Sequence, residues 1–417
     1  MQVVIFEDNY YQLLFPISLL RPVYEIKIGF FTIAELIKSL LGPKYSPIFH
    51  CRELLRPYQT QTTDHILNSL LKDDYLLLNG RYVFNSKFIK WIFSNLPDNS
   101  FLSYNDFIIA AKIGRKKISL LSSIKNVFEK NNFTQLKEIS ALKCEFFNYD
   151  DLLSTPWQVL NYFDGMFARH VDEFASRKKT KFKKLSDVNI INSKKVWISS
   201  EAKIYPFVVL DASSGSVIIE DGVILEPFSY IKGPVFIDKH TLIKSGTKIY
   251  GPFYAGIESR IAGEVSSSIF HSYVNKQHDG FVGNSYICPF VNFGADTVTS
   301  NLKNNYSSIK VKIKNEIFNS NRQFLGSIVG DHSKFGINTM LNTGTIVGIF
   351  ANFAGYGFAP KFIDSFSWLV NNTPPARYEI EEALRTAKIV MKRRNIEMSA
   401  EYESLVRNLY KREHLDI

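Results

Sequence analysis

The sequence predicts an α/β domain followed by a parallel β-helix and C-terminal helices. Strand and helix patterns alternate over residues 1–155, a six-residue aliphatic repeat runs over residues 196–359, and two helical segments follow Pro374 and Pro375. A chain of 417 residues is too long for one ordinary core, so several domains are expected. The predicted boundaries are residues 1–155, a helix with a basic linker over 156–185, the β-helix over 186–370, and the C-terminal helices over 371–417.

The first domain has no internal repeat. Residues 3–6 and 75–78 are predicted to be buried strands, and residues 31–41 are predicted to form a helix closed by a Gly-Pro pair. Alternating strands and helices are typical of a parallel α/β sheet. Residues 156–174 are predicted to form the connecting helix, and the last two helices are expected to pack on the β-helix.

The repeat is the clearest signal in the chain. Every sixth residue from Ile219 to Ile261 is aliphatic, and the residue four positions later is small or β-branched at nearly every step. The same register returns at residues 281–293 and 329–359. Neither an α-helix nor an alternating strand has this period. A triangular coil has it, and stacked coils bury the aliphatic residues that single coils cannot.

The register breaks twice. Residues 265–280 are expected to form a looser segment, because polar and charged residues replace the repeat. Residues 303–323 are expected to form a projecting β-hairpin, because Ile309, Val311 and Ile313 alternate with lysines. Interruptions of a regular solenoid are common places for functional groups.

Composition excludes several classes of protein. The net charge of +10 is concentrated in residues 177–184 and 392–412, which indicates solvated segments or attraction to phosphorylated ligands. No nucleic-acid-binding motif accompanies these runs, so we expect no nucleic-acid partner. No apolar stretch is long enough to span a bilayer, and the three cysteines suit neither a disulfide framework nor a zinc motif. We therefore expect a cytoplasmic protein without a membrane span.

Three short motifs follow one another from the end of the first break onward: Asn275-Lys-Gln-His-Asp-Gly-Phe-Val-Gly283, Val291-Asn-Phe-Gly-Ala-Asp-Thr297 and Thr299-Ser-Asn301. Their spacing resembles the acetyltransferase domain of the bifunctional N-acetylglucosamine-1-phosphate uridyltransferase/glucosamine-1-phosphate acetyltransferase family. The whole chain is similar to a branch of sugar-phosphate nucleotidyltransferases that carry a left-handed β-helix tail. That resemblance implies the left hand, an acyl-CoA donor such as acetyl-CoA, a sugar phosphate or nucleotide sugar as acceptor, and a homotrimer.

An amine that attacks a thioester must lose a proton, and histidine is the usual base near neutral pH. The resemblance implies that His278 is this base, that Asn292 and Asn301 orient the amine or its sugar, and that the Ala295 N–H stabilises the oxyanion. It further implies five substrate contacts: Asn275, Lys276, Glu264, Lys248 and Phe281. The family has a tyrosine where Phe281 stands. Its phosphate-binding arginine and lysine correspond to Lys248 and Ser266, and Ile337 replaces a serine near the acyl-CoA contact.

The first domain resembles sugar-nucleotide pyrophosphorylases in the segments Phe15-Pro-Ile-Ser-Leu-Leu-Arg-Pro-Val23 and Tyr75-Leu-Leu-Leu-Asn-Gly-Arg81. Those enzymes use a glycine-rich loop, a lysine and an aspartate that holds Mg²⁺. Here the loop lacks glycine, and Val23 and Arg81 replace the lysine and the aspartate. The remaining candidates for binding a nucleoside triphosphate or phosphate are Arg21, Arg81, Lys27 and Asn79, and those for Mg²⁺ are Asp8 and Glu7.

The leading hypothesis is therefore an acyl-CoA-dependent acyltransferase with a nucleotidyltransferase-like domain that binds or forms a nucleotide sugar. One alternative is an active bifunctional nucleotidyltransferase, and another is a non-enzymatic scaffold with degenerate sites. A zinc enzyme on this fold would need three converging histidines. The spacing of His271 and His278 does not suit it, and His240 and His332 lie far from them in sequence.

Overall fold

The computed structural model describes residues 1–62, 73–104, 107–117, 140–142, 151–178, 186–370 and 374–412. The chain divides into two compact units. The first contains residues 1–27, 31–158 and 400–409, and the second contains residues 28–30, 159–399 and those from 410 onward. The expected fold class, an α/β domain followed by a left-handed parallel β-helix and C-terminal helices, is confirmed. Most of the predicted basic linker and Cys144 lie outside the described residues.

The first unit is built on a six-stranded mixed sheet. In spatial order its strands are Ile48–His50, Gln2–Phe6, Tyr75–Asn79, Phe107–Ile113, Ser100–Tyr104 and Ser140–Leu142. The two predicted strands are confirmed and pair in parallel, but the prediction of a purely parallel sheet is wrong. Phe107–Ile113 runs antiparallel to both of its neighbours, because it follows Ser100–Tyr104 too closely for a crossover helix.

Helices flank this sheet at Ile33–Leu41, Arg56–Thr62 and Ser86–Asn95, and short 3₁₀ segments lie at Asn9–Leu14, Val23–Glu25 and Arg115–Lys117. The first helix begins two residues later than predicted because Thr32 is its N-cap. The Thr32 hydroxyl accepts from the N–H of Glu35, and the Glu35 carboxylate accepts from the N–H of Thr32. This reciprocal pair satisfies two amides that would otherwise lack partners.

The second unit is a β-helix with three faces. The first face contains Asn189–Ile191, Val209–Asp211, Tyr230–Lys232, the start of Lys248–Ala255, the start of Glu264–Phe270, Phe281–Gly283, Val298–Thr299 and Met340–Leu341. The second face contains Val196–Ile198, Val217–Ile219, Val235–Ile237, the ends of those two long strands, Tyr286–Ile287, Ser327–Val329, Thr345–Val347 and Phe362–Ile363. The third face contains Lys203–Ile204, Ile224–Leu225, Leu242–Ile243, Arg260–Ile261, Asn275–Lys276, Lys334–Phe335, Asn352–Ala354 and Ser367–Val370.

The residues of the predicted repeat form the interior of this β-helix. Ile219, Leu225, Ile231, Ile237, Ile243 and Ile249 are all fully buried and belong to one apolar cluster. Each fully buried side chain of this size contributes about 1.5–3 kcal/mol relative to exposure. Successive coils pair in parallel, as the repeat predicted, and Ala376–Arg377 then runs antiparallel to Ser367–Val370 of the last coil.

The first break in the register is not a looser segment, and that prediction is wrong. Residues 264–270 form a strand that pairs with the coils on both sides. Paired residues in regular coils are eighteen positions apart, as in Ile224 and Leu242, but Arg260 pairs with Asn275, fifteen positions on. Because the coil is shorter here, every sixth residue no longer falls on an inward position, although the coils continue to stack.

The second break contains the predicted hairpin, formed by Lys310–Ile313 and Glu316–Asn319. Its apolar side is folded back on the coil rather than fully projecting, since Ile309 and Val311 are completely buried. Both lie against Gly344 of the following coil. Stacking resumes at residue 327.

Three further helices are Gln158–Arg177, Ile380–Lys392 and Ala400–Arg412. The first packs on the β-helix, where the Asp172 carboxylate accepts from the amide and hydroxyl of Ser216. Residues 400–409 cluster with the first unit, and the Tyr402 ring lies 5.1 Å from that of Tyr58. Ala376–Arg377 and a 3₁₀ turn at Ser193–Lys195 complete the elements of the second unit. None of the helices in the described ranges is long and apolar enough to cross a membrane.

Candidate active site

His278 lies on an exposed corner of the β-helix, between the third-face strand Asn275–Lys276 and the first-face strand Phe281–Gly283. Its backbone is held from inside the coil. The Lys276 ammonium donates to the carbonyl of His278 at 2.8 Å and to that of Ala262, on the preceding coil, at 2.9 Å. The imidazole therefore faces solvent from a fixed main-chain position.

Ala295 occupies the equivalent corner position of the next coil. Asn275 pairs with Asn292, and the Asp296 N–H donates to the carbonyl of Asp279 at 3.2 Å, so His278 and Ala295 are neighbours in the stack. Neighbouring parallel strands lie about 4.8 Å apart. The Ala295 carbonyl accepts from Asn338, whereas its N–H donates to none of the described residues. This N–H can therefore bind an oxyanion beside the imidazole.

A chain of amides orients Asn292. The Gln277 amide donates to the Asn275 oxygen at 2.7 Å, and the Asn275 amide donates to the Asn292 oxygen at 2.6 Å. All three residues lie on or beside the third face, one coil apart at most. With its oxygen accepting from Asn275, the Asn292 side chain can still donate from its N–H₂ group.

Asn301 belongs to a second cluster, on the first-face side of the corner. Its amide donates to the Asn284 oxygen at 2.8 Å. Gly283 lies between the Phe281 ring and the Asn301 amide, and a Cβ on this glycine would lie 3.0 Å from that amide nitrogen. Asn292 and Asn301 therefore lie on different faces that meet at the corner of His278. Among the described residues, no hydrogen bond joins the imidazole to either asparagine.

The predicted substrate contacts divide into two groups. Lys248, Glu264 and Phe281 form one column on the first face, paired in that order across three coils. Asn275 lies on the third face, in the amide chain. The structure thus places four of the five predicted contacts on the two faces that flank His278.

Lys276 is the exception, and its assignment to the substrate needs correction. It is only 1% exposed, and its ammonium points into the coil toward two carbonyl groups. Burial lowers the pKa of Lys276 to about 8, although the charges of Asp279 and Asp296 act in the opposite direction. A group so enclosed cannot reach a phosphate in solution.

Sequence reasoning missed Lys334. This residue pairs with Asn292 on the third face, and its ammonium donates to the carbonyl of His332 at 2.9 Å. Burial lowers the pKa of Lys334 to about 8. Its signal in the sequence is the segment Gly330-Asp-His-Ser-Lys334, but the hairpin separates Lys334 from Asn292 by 42 positions.

Gly280 lets the corner close. It has φ +114°, a conformation that residues with a Cβ rarely adopt, and a Cβ here would collide with the carbonyl of Thr297 on the next coil. The tight approach between these coils brings Asp279 and Asp296 together. It also sets the separation of His278 and Ala295.

In the first unit, the predicted phosphate-binding and metal-binding groups bind each other. Arg81 is fully buried and donates to both carboxylate oxygens of Asp8 at 2.7 Å and to the carbonyl of Leu153 at 2.6 Å. Asn79, also fully buried, donates to Asp8 at 2.9 Å. Arg81 and Asn79 are therefore corrected from ligand-binding residues to members of an internal network.

Glu7 is similarly engaged, with the Arg52 guanidinium and with the N–H groups of Val23 and Arg52. Burial raises the pKa of Glu7, and the Arg52 charge opposes that effect. Mg²⁺ requires carboxylate oxygens that are open to it. Since those of Glu7 and Asp8 are directed at arginines, this pair does not fit a magnesium site, and no step is assigned to the metal.

Arg21 and Lys27 are the two other basic residues of this unit that were predicted to bind a phosphate. Arg21 is 8% exposed and donates to the carbonyl of Ile17 at 2.8 Å. Lys27 is half-buried, and its backbone pairs with that of Thr32. In the part of the chain that the structure describes, no group of three or more His, Cys, Asp or Glu side chains could hold a metal ion.

Known proteins resemble parts of this chain. Residues 3–177 match the family described as sugar nucleotidyl transferase. The chain is also 34% identical, over 141 residues, to a bifunctional sugar-1-phosphate nucleotidylyltransferase/acetyltransferase of Sulfurisphaera tokodaii, covering 29% of this chain and 35% of the relative. It is 31% identical over 141 residues to the bifunctional protein GlmU of Methanococcus vannielii, covering 32% and 33%. The match spans about a third of the length of these curated relatives.

Two solved structures match the chain at low similarity. A hexapeptide transferase family protein from Anaplasma phagocytophilum has 15% identity and a TM-score of 0.25, covering 54% of this chain and 99% of its own. An Arabidopsis UDP-N-acetylglucosamine acyltransferase has 11% identity and a TM-score of 0.22, covering 55% and 90%.

Proposed function

We propose that this chain transfers an acyl group from acyl-CoA to the amine of a sugar phosphate or nucleotide sugar, with His278 as general base. The observation that carries the proposal is the corner itself, where an exposed imidazole lies one coil from the unengaged N–H of Ala295. The Sulfurisphaera tokodaii relative, whose name combines nucleotidylyltransferase and acetyltransferase, supports the same reaction class.

In this proposal the amine nitrogen attacks the thioester carbonyl carbon while the His278 imidazole accepts the proton that the amine loses. The carbonyl oxygen becomes an oxyanion and accepts a hydrogen bond from the Ala295 N–H. The carbon–sulfur bond then breaks, and the imidazolium returns its proton to the thiolate. Asn292 and Asn301 bind the acceptor from the two faces beside the corner.

Positive charge beside the corner supports a phosphorylated acceptor. Lys334 lies next to Asn292 on the third face, and Lys248 is exposed on the first face. Ammonium groups on these faces can bind a phosphate as point charges. Phe281 has no hydroxyl to offer the sugar. We therefore expect the acceptor to differ from glucosamine 1-phosphate near the atom that the family tyrosine contacts.

Acetyl-CoA is the proposed donor, and a homotrimer is the proposed assembly. Light scattering of the purified full chain tests the assembly. The expected mass is three times that of the 47.9 kDa chain. A mass of one chain would contradict it.

Thiol release from acetyl-CoA, measured with a panel of amino-sugar phosphates and nucleotide sugars, tests the activity. His278→Ala is expected to reduce turnover by about 10²–10⁴-fold, because general base catalysis is lost. His240→Asn is the matched control. His240 is an exposed corner histidine between the second and third faces, and its φ of +56° suits asparagine. Equal turnover in His278→Ala and the wild type would refute the role of His278.

A second activity, nucleotidyl transfer, is favoured by the family match over residues 3–177. The buried Asp8–Arg81 pair leaves this unit without an open carboxylate in the usual metal position. We therefore propose that it binds a nucleotide or nucleotide sugar without forming one. Pyrophosphate release from nucleoside triphosphates and sugar 1-phosphates tests this, and release that His278→Ala leaves intact would establish the bifunctional alternative. Absence of both activities would favour the scaffold.

A further inference from the structure

Lys276 stands in a position that the rest of the β-helix fills with apolar residues. It pairs with Ile261 on one side, and the bridge between Asn275 and Asn292 places it next to Phe293 on the other. The inward residues of this face elsewhere in the stack belong to the apolar core: Leu225, Ile243, Ile261, Phe293, Phe335 and Phe353. Lys276 is thus a cation in the middle of a hydrophobic column.

Burying an ammonium group among apolar side chains lowers the stability of the fold unless its hydrogen bonds offset the loss of hydration. Removing an ammonium from water costs several kcal/mol even after the protein relaxes. An isoleucine or methionine would fill the position without that cost. No carboxylate lies within ion-pair distance of the Lys276 ammonium among the described residues, so its direct partners are carbonyl oxygens.

Those carbonyls belong to Ala262 and His278, on adjacent coils at one corner. A single buried cation therefore ties the main chain of the candidate base to the coil before it. Gly263, the residue after Ala262, approaches the same segment from outside. A Cβ there would lie 2.7 Å from the Gly280 carbonyl and 3.0 Å from the Cα of Asp279. The preceding coil therefore approaches the segment 278–280 at both Ala262 and Gly263.

We propose that Lys276 is a positioning residue that fixes the backbone of His278, and with it the distance from the imidazole to the Ala295 N–H, rather than a ligand for the substrate. This inference rests on the proposed function for its catalytic consequence. Its structural content, immobilisation of residues 277–280, can be measured without any reaction.

The experiment compares full-length Lys276→Met with the wild type in two measurements. In acetyl transfer from acetyl-CoA to glucosamine 1-phosphate or another accepted amino-sugar phosphate, kcat is expected to fall about 10–100-fold, with both KM values within about twofold, because misplacement affects reaction geometry and not binding. Hydrogen exchange of the Glu264 and Asp296 amides, which donate to the carbonyls of Gly280 and Asp279, is expected to accelerate about tenfold or more. Ile261→Met changes the same apolar column one coil away and is expected to leave both measurements near wild type.

Gly263→Ala provides a second test if Lys276→Met does not fold. It displaces segment 278–280 while keeping the lysine, and it is expected to lower kcat with unchanged KM values. Wild-type kcat in Lys276→Met, or in a folded Gly263→Ala, would overturn the positioning role, as would unchanged exchange of the Glu264 and Asp296 amides in Lys276→Met. If the wild type itself transfers no acyl group, the proposed function fails, and the exchange measurement alone decides whether Lys276 immobilises the segment.

Discussion

The buried ammonium of Lys276 has a measurable effect on stability. Burial lowers the pKa of Lys276 from 10.5 to about 8. Below pH 8 the lysine is protonated in both the folded and unfolded chain, so the full cost of the buried charge is present. Between pH 8 and 10.5 only the unfolded chain keeps the proton, and the free energy of unfolding therefore rises with pH. The difference between the two pKa values corresponds to about 3 kcal/mol.

Lys276→Met should remove the part that Lys276 contributes to the rise of the unfolding free energy with pH. Methionine keeps the apolar stem and lacks the ammonium. The two carbonyls of Ala262 and His278 lose their donor, at a cost of about 1 kcal/mol each, and this cost does not depend on pH. Lys334, whose pKa burial also lowers to about 8, remains in the variant and should keep its own share of the rise.

Urea unfolding of the full chain, followed by far-UV circular dichroism at pH 7, 8, 9 and 10, measures the effect. The wild type should gain about 3 kcal/mol more than Lys276→Met between pH 7 and 10. Lys244→Met, which removes a surface ammonium paired with Glu226 at 3.1 Å, should follow the wild-type curve. Equal pH dependence in the wild type and Lys276→Met would refute the buried-charge argument.

Three other substitutions test separate parts of the structure. Asp8→Asn should lower the unfolding free energy of the first unit by about 3–5 kcal/mol, because it leaves the Arg81 cation buried without its partner. The control, Asp98→Asn, removes an exposed ion pair with Lys112 and should leave the unfolding free energy nearly unchanged. Equal shifts of the melting temperature in the two variants would contradict this prediction. Lys334→Met should raise KM for the phosphorylated acceptor about tenfold and leave KM for acyl-CoA unchanged, as measured from initial rates. A change in KM for acyl-CoA alone would show that Lys334 contacts the acyl-CoA donor instead. Gly280→Ala should cost about 1–3 kcal/mol in thermal melts because of its φ and the nearby Thr297 carbonyl, and unchanged melting would show that the corner adapts.

The repeat predicted most of the second unit because each inward aliphatic residue reports directly on coil geometry. It failed where coil length changed. Between Arg260 and Asn275 the corners lose residues, and the polar sequence then suggested a loose segment where a strand exists. A search for a fixed six-residue period cannot detect a coil that is a few residues shorter than its neighbours, although such a coil still stacks on them. In the first unit, no local pattern distinguished the antiparallel hairpin at Phe107–Ile113 from a crossover.

The structure brings His278 and Ala295 to equivalent corners of adjacent coils, with Asn292 on the coil of Ala295, while the roles implied for these residues stay a prediction. The direction of side chains was not predictable from spacing. Lys276 was expected to contact the substrate because the family resemblance implied it, yet its side chain points into the coil and is buried. Lys334 was overlooked because the chain travels through the hairpin before it returns beside Asn292. The Asp8–Arg81 pair joins residues 73 positions apart, which a single sequence cannot show.

The hairpin enters and leaves the coil at one place. The Leu325 N–H donates to the carbonyl of Asn301 at 2.9 Å, and Leu302 bridges Phe324, so the two ends of the excursion lie side by side. Closing a longer or shorter excursion at such a neck changes the loop entropy by only about 0.6 kcal/mol for each doubling of length. The exposed part of the segment can therefore be exchanged, provided that Ile309 and Val311, which cover Gly344 of the following coil, are kept. Because the segment begins next to Asn301, exchanges there offer a way to alter which acceptor is bound while the stacked frame stays the same.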